Sequence, residues 1–506
     1  MMLSERFKDN IHGILSCYDR IVIKGTIPQL CYAKGMTSYL YSKGIRIFDY
    51  PRFAEPYRDD IRANAAKLAS ENDIEIEFIR KSHIRKEDIV ASKLKERGWQ
   101  PGLVAILSAM EGCPGYQPWH DKKTGKTFLK GTTSKCLHYY FYFIDELLGL
   151  CYVRVPTWCP FGLQIYFNGH QWLASMLREQ NIGYSTVDNA FDHIDDFSAA
   201  QKLADSFDVK QLHDKLNEFA LTYCPVIEAF EREYHWSVMQ IEYAHDIIFH
   251  RVEDLQAIYG DLLKTAIHTV TPDNIATFLG KKKGVAPQYQ GEAGSAYNVR
   301  LEGRRIKHNM GSASIKMYDK YGRILRIETT ANDISFFKHY REIEHRDGST
   351  SKRVTNFKKN IYSIGSLRRE LHASNIRYLD FISQIETRET GRKNLSKVGE
   401  SKEVNNRRYK GFNFFDESDV NLFKVLMRGE HCIQGFQNKT LRKHLPDKSS
   451  GQISRILKRL QTHGLIKKVC RCYKYYLTKF GKQVILTAFK IKEMFIIPEL
   501  NVIHAQ

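Results

Sequence analysis

The 506-residue chain has no apolar run near the roughly 18 residues that a transmembrane helix needs. Its opening, MMLSERFKDN, is charged where a secretory leader would be apolar. A membrane-spanning or exported protein is therefore not expected, and the localisation read from the sequence is cytoplasmic. The 10 cysteines are scattered, and the closest pair, Cys470 and Cys472, lacks the CxxC spacing of a structural zinc knuckle. Cys17 and Cys136 read first as small buried hydrophobes, with a nucleophilic role as the alternative. The loop WHDKKTGKT (Trp119 to Thr127) contains a GKT triplet, but His120 stands where a phosphate-binding loop needs its first glycine. No nucleotide or organic cofactor is indicated. There is no internal repeat, no low-complexity segment and no His-x-His triplet.

Acidic charge is in deficit, with Asp+Glu 57 against Lys+Arg 77 and a net charge of +20. The imbalance is local. Residues 1–280 carry 31 basic and 36 acidic side chains, which leaves 46 basic and 21 acidic for residues 281–506. A basic half of that size faces a polyanion, because each Lys or Arg that neutralises a phosphate releases a condensed counterion. DNA is the first partner class, RNA the second, and no membrane partner is expected.

Length at about 150 residues per domain gives roughly three domains. The pattern is multidomain α/β plus α+β. In residues 1–205, an α/β layer domain, short β-branched or aromatic runs alternate with helical periods and fit βαβ units. Strands are expected at Arg20–Gly25, Ile45–Phe48, Ile74–Ile79, Leu103–Leu107 and Leu163–Phe167, and helices at Pro56–Asn72, Lys86–Gly98 and His170–Gln180. Gly112–Lys135 reads as a polar loop, followed by a hairpin of His138–Asp145 and Leu150–Val155. Asp19 before the first strand and Glu111 after a buried one sit where α/β enzymes carry catalytic carboxylates; helix caps and strand-end solvation explain them equally.

Residues 206–270 read as an acidic helical segment divided by Pro225. His235, Glu242, Asp246 and His250, spaced 7, 4 and 4, would share one helix face, and Glu242 and Asp246 are candidate ligands for Mg²⁺ or Mn²⁺. A solvated charged face fits the same spacing. Residues 271–385 form a basic α+β region. Ser314–Tyr318 and Ile324–Thr330 read as two strands joined by a turn, with a helix near Ile364–Ile385. Tyrosines interleaved with Arg304, Arg305 and Lys307 suit the stacking and phosphate contacts of nucleic-acid binding.

The stretch KMYDKYGRILRIETT is similar to the YxK, turn, RxE hairpin of phage and plasmid rolling-circle replication proteins. That resemblance implies a Tyr318 hydroxyl near Lys320, with Asp319 or Glu328 binding a divalent metal that polarises a phosphodiester. The other reading is a hairpin in which Lys320, Arg326 and Glu328 pair across strands.

Residues 386–411 have almost no apolar anchor and read as a charged linker. From 412 to 506 the order is helix, short helix, a helix with the inner stripe Ile453, Ile456, Leu457 and Leu460, two strands, and a closing helix. The runs ISRILKRLQTHGLIKK and YYLTKFGKQVI resemble winged helix-turn-helix regulators of the MarR type. The resemblance implies DNA docking with the third helix in the major groove. Gln452 and Arg455 are then candidate base readers. Lys458, Lys467, Lys468, Arg471 and Lys474 are candidate phosphate contacts, with Ser450 and Arg459 completing the set.

The function expected is a DNA transaction of a mobile element, replication-initiator or transposase-like, with metal-dependent strand cleavage as the chemistry. The alternatives are a non-enzymatic regulator binding a palindromic operator as a homodimer, and an RNA-binding ribonucleoprotein component.

Overall fold

β1 (Ile11–Thr26) carries Ile21, Val22 and Ile23, three consecutive buried residues on alternating sides, so each of its faces needs cover. It forms the interior of an 11-stranded sheet in the order β10-β11-β12-β13-β9-β1-β6-β5-β4-β3-β2. The remaining strands are β2 (Ile76–Phe78), β3 (Gly102–Asp121), β4 (Lys126–Asp145), β5 (Gly149–Pro156), β6 (Leu163–Asn168), β7 (Tyr184–Val187), β8 (Ala190–Ile194), β9 (His235–Phe249), β10 (Gly294–Arg300), β11 (Gly303–Met310), β12 (Ala313–Lys320) and β13 (Ile324–Ala331). β7 and β8 pair as a separate hairpin, as do β14 (Lys338–Glu344) and β15 (Thr350–Asn356). This computed structural model describes residues 3–81, 83–230, 232–281, 293–300, 303–345, 347–383, 388–469 and 473–497. They group into residues 1–260 with 271–383, and residues 261–270 with 384–506.

The first unit is mixed α/β. Its helices are α1 (Leu3–Arg6), α2 (Ala33–Ser42), α3 (Tyr50–Glu71), α4 (Lys86–Arg97), α5 (Gly169–Glu179), α6 (Phe197–Asp205), α7 (Val209–Tyr223), α8 (Val252–Thr269, whose second half groups with the other unit), α9 (Pro272–Phe278) and α10 (Ile364–Ile382). One βαβ crossover exists, β2-α4-β3; every other neighbouring pair in the large sheet is antiparallel. The separate domains expected at 1–205 and 271–385 share this one sheet, since β9 and β13 continue it directly from β1.

Three local expectations are corrected. Ile47–Asp49 is a short 3-10 turn leading into α3, with Pro51 at the start of that helix, rather than a strand. Gly112–Lys135 is the outer half of a long β3-β4 ribbon, in which Gly125 at φ +68° closes the turn; the GKT triplet is the end of that turn and the start of β4. His235–Phe249 is a strand, so the shared helix face of His235, Glu242, Asp246 and His250 does not form. α10 covers the sheet face that carries Tyr18, Tyr243 and Thr329: Asn375 donates to the Tyr243 carbonyl at 2.9 Å and meets Thr329 Oγ1 at 2.7 Å. No helix among the described residues is long and apolar enough to cross a membrane.

In the second unit the charged stretch 386–411 is not a bare linker. It contains α11 (Arg388–Gly399), β16 (Lys402–Val404) and β17 (Arg407–Tyr409), and its Val398 is buried with Phe412 and Phe423. Then follow α12 (Glu417–Leu426), α13 (Gly429–Gln434), α14 (Asn438–His444), α15 (Ser450–Thr462), β18 (Ile466–Lys468), β19 (Tyr475–Leu477) and α16 (Lys479–Ile491). Ile453, Leu457 and Leu460 of α15 face the core as their spacing requires. Gly464 turns the chain at φ +74° after it, a conformation that a side chain resists.

Candidate functional site

Alternation along paired strands puts residues directly opposite one another on the same face. Lys316 lies opposite Glu328 and Tyr318 opposite Arg326 across β12 and β13; Arg326 lies opposite Asp246 and Thr330 opposite Glu242 across β13 and β9. β1 is next, and its register slips between Tyr18 and Ile21, the bulge that holds Asp19. One sheet face thus gathers charge from four adjacent strands, in segments that are otherwise apolar.

Arg326 is the centre of the cluster and has no exposed surface. Its Nε and Nη2 donate to the two oxygens of Asp246 at 2.6 Å each, and Nη1 donates to Asp19 Oδ2 at 3.1 Å. Nη2 also donates to the Asn189 carbonyl at 2.9 Å and lies 2.9 Å from His170 Nε2. His170 sits between the two acids, with Nδ1 3.5 Å from Asp19 and Nε2 3.6 Å from Asp246; burial would lower its pKa, but the contacts with the two carboxylates raise it well above the ordinary imidazole value. Asp19 further accepts from Asn168 at 2.6 Å and from Asn189 at 2.9 Å. Burial by itself would raise both carboxyls. The contacts from His170 and Arg326 outweigh it and hold Asp19 and Asp246 well below the usual carboxylate range.

Beside this core, Lys316 Nζ sits between two more carboxylates, 2.9 Å from Glu242 Oε1 and bonded to Glu328 Oε1. Tyr318 donates its hydroxyl to Glu328 Oε2 at 2.8 Å, and Thr330 donates to Glu242 at 3.0 Å. Carboxylate oxygens of Asp19, Glu242 and Glu328 all lie within 4.8 Å of one another. Three such oxygens match the hard ligand set of Mg²⁺ or Mn²⁺. Glu242 and Lys316, each with 13% of the side chain exposed, form the solvent edge of the cluster.

Burial, then the Glu328 charge, push the Glu242 carboxyl from its ordinary 4.5 up to about 7, against the pull of Lys316. The folded chain therefore keeps a proton that the unfolded chain gives up. This contribution to stability is complete below pH 4.5 and is lost as pH rises through about 7. All five tryptophans (Trp99, Trp119, Trp158, Trp172, Trp236) belong to the first unit, so their fluorescence follows its unfolding alone. Between about pH 5 and about pH 8, the urea midpoint is expected to fall further in the native chain than in Glu242→Gln, which cannot titrate there. Equal slopes would remove Glu242 as the source.

The catalytic set expected from sequence is split. Tyr318, Lys320 and Glu328 reach the cluster; Lys320, 2% exposed, bonds Asp188 at 2.8 Å and the Asn189 side chain. Asp319 points to the opposite face, where it accepts from the Arg304 backbone at 2.6 Å and faces the Arg304 guanidinium at 3.5 Å. Tyr318 is buried, and burial with the Glu328 charge keeps its phenol protonated. The alternative pairing also fails in detail, because Lys320 lies opposite Ile324 and the partner of Glu328 is Lys316. Of the expected metal pair, Glu242 joins the carboxylate group while Asp246 is fully engaged by Arg326. Sequence reading missed His170, Asn189 and Lys316 as members of the site, and named Arg326 only as a cross-strand pair. The usable signal was charge at alternate positions inside β-branched runs, as in Arg326 and Glu328 of the fully buried β13.

The same face continues across β6, β5 and β4 as an aromatic and cationic surface. Tyr152 lies opposite Tyr166, and Tyr140 opposite Arg154. The Tyr152 and Tyr166 rings stack at 5.2 Å, and the Arg20 guanidinium lies 5.2 Å from the Tyr166 centroid. A cavity of about 480 Å³ is lined here by Lys86, Glu111, Tyr140, Tyr152, Arg154 and Met239, among others. Glu111 is no free acid: Lys86, Arg154 and the Tyr140 hydroxyl bond it at 3.0, 2.8 and 2.7 Å. Burial would raise it, but those bonds hold it down to about 2. Ring faces flanked by cations are the pairing that stacks bases and meets phosphates. Cys17 and Cys136 are both buried.

In the second unit, Arg455, Lys458, Lys467 and Lys468 are exposed, while Lys474 is half-buried over Tyr476. Arg471 lies outside the described residues. Two expected contacts are otherwise engaged. Gln452 Oε1 accepts from the Ser449 backbone at 2.7 Å, closing a capping box at the start of α15. Arg459 is tied to both oxygens of Asp419 at 2.8 and 3.0 Å and stacks on Phe412 at 3.8 Å, so it fastens α15 to α12. Ser450 is the residue after the cap and bonds Asn438 at 3.3 Å. Arg305 and Lys307 share the face of Lys316 and Tyr318, whereas Arg304 is on the other side with Asp319. Compared with known proteins, the chain matches no family model, no curated protein and no solved structure.

Proposed function

We propose that this chain is a metal-dependent DNA strand-cleaving enzyme of a mobile element, replication-initiator or transposase-like, working in the cytoplasm. One observation carries the reading: Asp19, Glu242 and Glu328, from three adjacent strands, bring carboxylate oxygens within 4.8 Å of one another on one sheet face. Mg²⁺ or Mn²⁺ held there would activate a water, whose oxygen attacks phosphorus as the P–O bond to the leaving deoxyribose breaks. The Tyr152, Tyr166 and Arg154 surface on the same face suits the bases and phosphates of a single strand running to the metal.

The second unit supports DNA recognition by its order of elements: helices, α15, a two-stranded hairpin and a closing helix, which is the order of a winged helix. In that reading Arg455 faces the major groove, and Lys458, Lys467 and Lys468 the backbone. Lys316 favours a second reading, a regulator without catalysis. Its ammonium already occupies the space between Glu242 and Glu328, and charges closed on themselves are what a structural cluster needs.

The test uses the full chain stripped of metal and nucleic acid, with end-labelled single- and double-stranded DNA and added Mg²⁺ or Mn²⁺. Shortened or strand-transferred products that require the ion support the enzyme. Intact DNA held at a palindromic site in every condition would leave the regulator, and a discrete co-purifying RNA would move the argument to a ribonucleoprotein.

A further inference from the structure

A second cluster, in the C-terminal unit, has different chemistry. Glu430 and His431 are neighbours on α13, and His444 is the last residue of α14. One ligand atom from each lies within 4.8 Å of the others. His444 Nε2 is 3.1 Å from Glu430 Oε1, and His431 Nε2 is 4.0 Å from the same oxygen.

The decisive atom is His431 Nε2. The residue is 1% exposed, and Nδ1 contacts the Val425 carbonyl at 2.8 Å, which fixes the proton on Nδ1. Nε2 is left as a buried lone pair with no hydrogen-bond partner among the described residues. A buried acceptor without a donor is costly, and it needs an explanation. A metal ion supplies one. A metal-bound histidine commonly donates its other ring N–H to a carbonyl, as His431 does to Val425. His463 also leaves Nε2 unpartnered, with Nδ1 on the Lys397 carbonyl, but among the described residues it belongs to no group of three ligand side chains.

We infer that Glu430, His431 and His444 form a binding site for a borderline transition-metal ion, Zn²⁺ in the first instance. Two imidazoles and one carboxylate suit Zn²⁺ and not Mg²⁺, which takes oxygen ligands. Tetrahedral Zn²⁺ with ligands at about 2.1 Å spaces them about 3.4 Å apart, inside the 3.1–4.0 Å spread seen here. Three protein ligands leave the fourth position for water. Arg428 Nε, bonded to Glu430 Oε1 at 2.9 Å, is the competing cation, and the ion would displace it or take Oε2. The bound ion would tie α13 to the end of α14, immediately ahead of α15. This site is independent of the carboxylate cluster in the first unit and of the proposed catalysis.

The experiment is a Zn²⁺ titration of the chelator-stripped full chain against a chromophoric competitor, repeated with Co²⁺ to read the visible bands of a tetrahedral site. One tightly bound ion per chain is expected. Affinity should fall about 100-fold or more in His444→Ala and in Glu430→Gln, both at partly exposed positions. His431→Ala risks the core, so it is not the primary variant. Absence of tight binding to the stripped native chain would overturn the site. So would unchanged affinity and an unchanged Co²⁺ spectrum in His444→Ala.

Discussion

Arg326→Met is expected to lower the stability of the sheet unit by about 3–5 kcal/mol, the range for breaking a buried ion pair from one side. The side chains are alike in length, so loss of volume is small and the effect is electrostatic. Asp19 and Asp246 would stay behind with about 4% or less of their side chains exposed and only the His170 imidazole against them. Two such carboxylates must then either remain charged with too little compensation or take up protons. Stability of the variant should therefore recover as pH falls toward the range where they protonate, while the native chain loses stability there, because its Asp19 and Asp246 are held ionised. Urea unfolding followed by tryptophan fluorescence measures the first unit alone. The double variant Arg326→Met/Asp246→Asn should recover part of the loss, giving a coupling energy for the pair. A loss below about 1 kcal/mol, the level of an exposed pair, would mean that the cluster is hydrated and not a closed core.

How much of this was legible in the sequence depends on the range of the interaction that fixes each part. α15 and its neighbours were readable because the stripe Ile453, Leu457, Leu460 and the Ser449 cap act within one or two turns. β9 was not. Glu242 and Asp246, with His250 just past its end, are spaced by 4, which suits one helix face and one strand face alike. A strand buried on both faces also loses the alternation that would have decided between them. The β3-β4 ribbon was hidden by Pro114 and Pro118, which normally argue against a strand. They are tolerated because β2 pairs with β3 only over Ile106–Ser108, so beyond that point the outer edge of β3 needs no donor. Asp19 and Glu328 were each named as acids, but no local signal brings together two residues more than 300 positions apart. Only the sheet order, with β9 between β1 and β13, does that. The same holds for Gln452 and Arg459: their types suit DNA, and the partners that engage them, the Ser449 amide and Asp419, appear only in the fold.

Glu242→Gln is expected to reduce metal-dependent strand cleavage about 10²- to 10³-fold through kcat, with DNA binding unchanged. Glutamine resembles the protonated carboxyl that burial and Glu328 already favour at Glu242, so the fold tolerates it, yet it offers the ion a weak neutral ligand. Lys316 then separates a catalytic cluster from a purely structural one. In Lys316→Met, Glu242 and Glu328 face each other without the ammonium that now bridges them, and the unit should lose stability by like-charge repulsion. If the three carboxylates are a metal site, Mn²⁺ takes the place of the ammonium. The urea midpoint of Lys316→Met should then rise with Mn²⁺ concentration as binding to the folded state requires, and far more steeply than in the native chain, where lysine competes. If the cluster is structural, Mn²⁺ leaves both midpoints alone and the stability of the variant returns only at low pH. A midpoint in Lys316→Met that ignores Mn²⁺ would therefore sink the catalytic reading even if a contaminating nuclease had produced cut DNA.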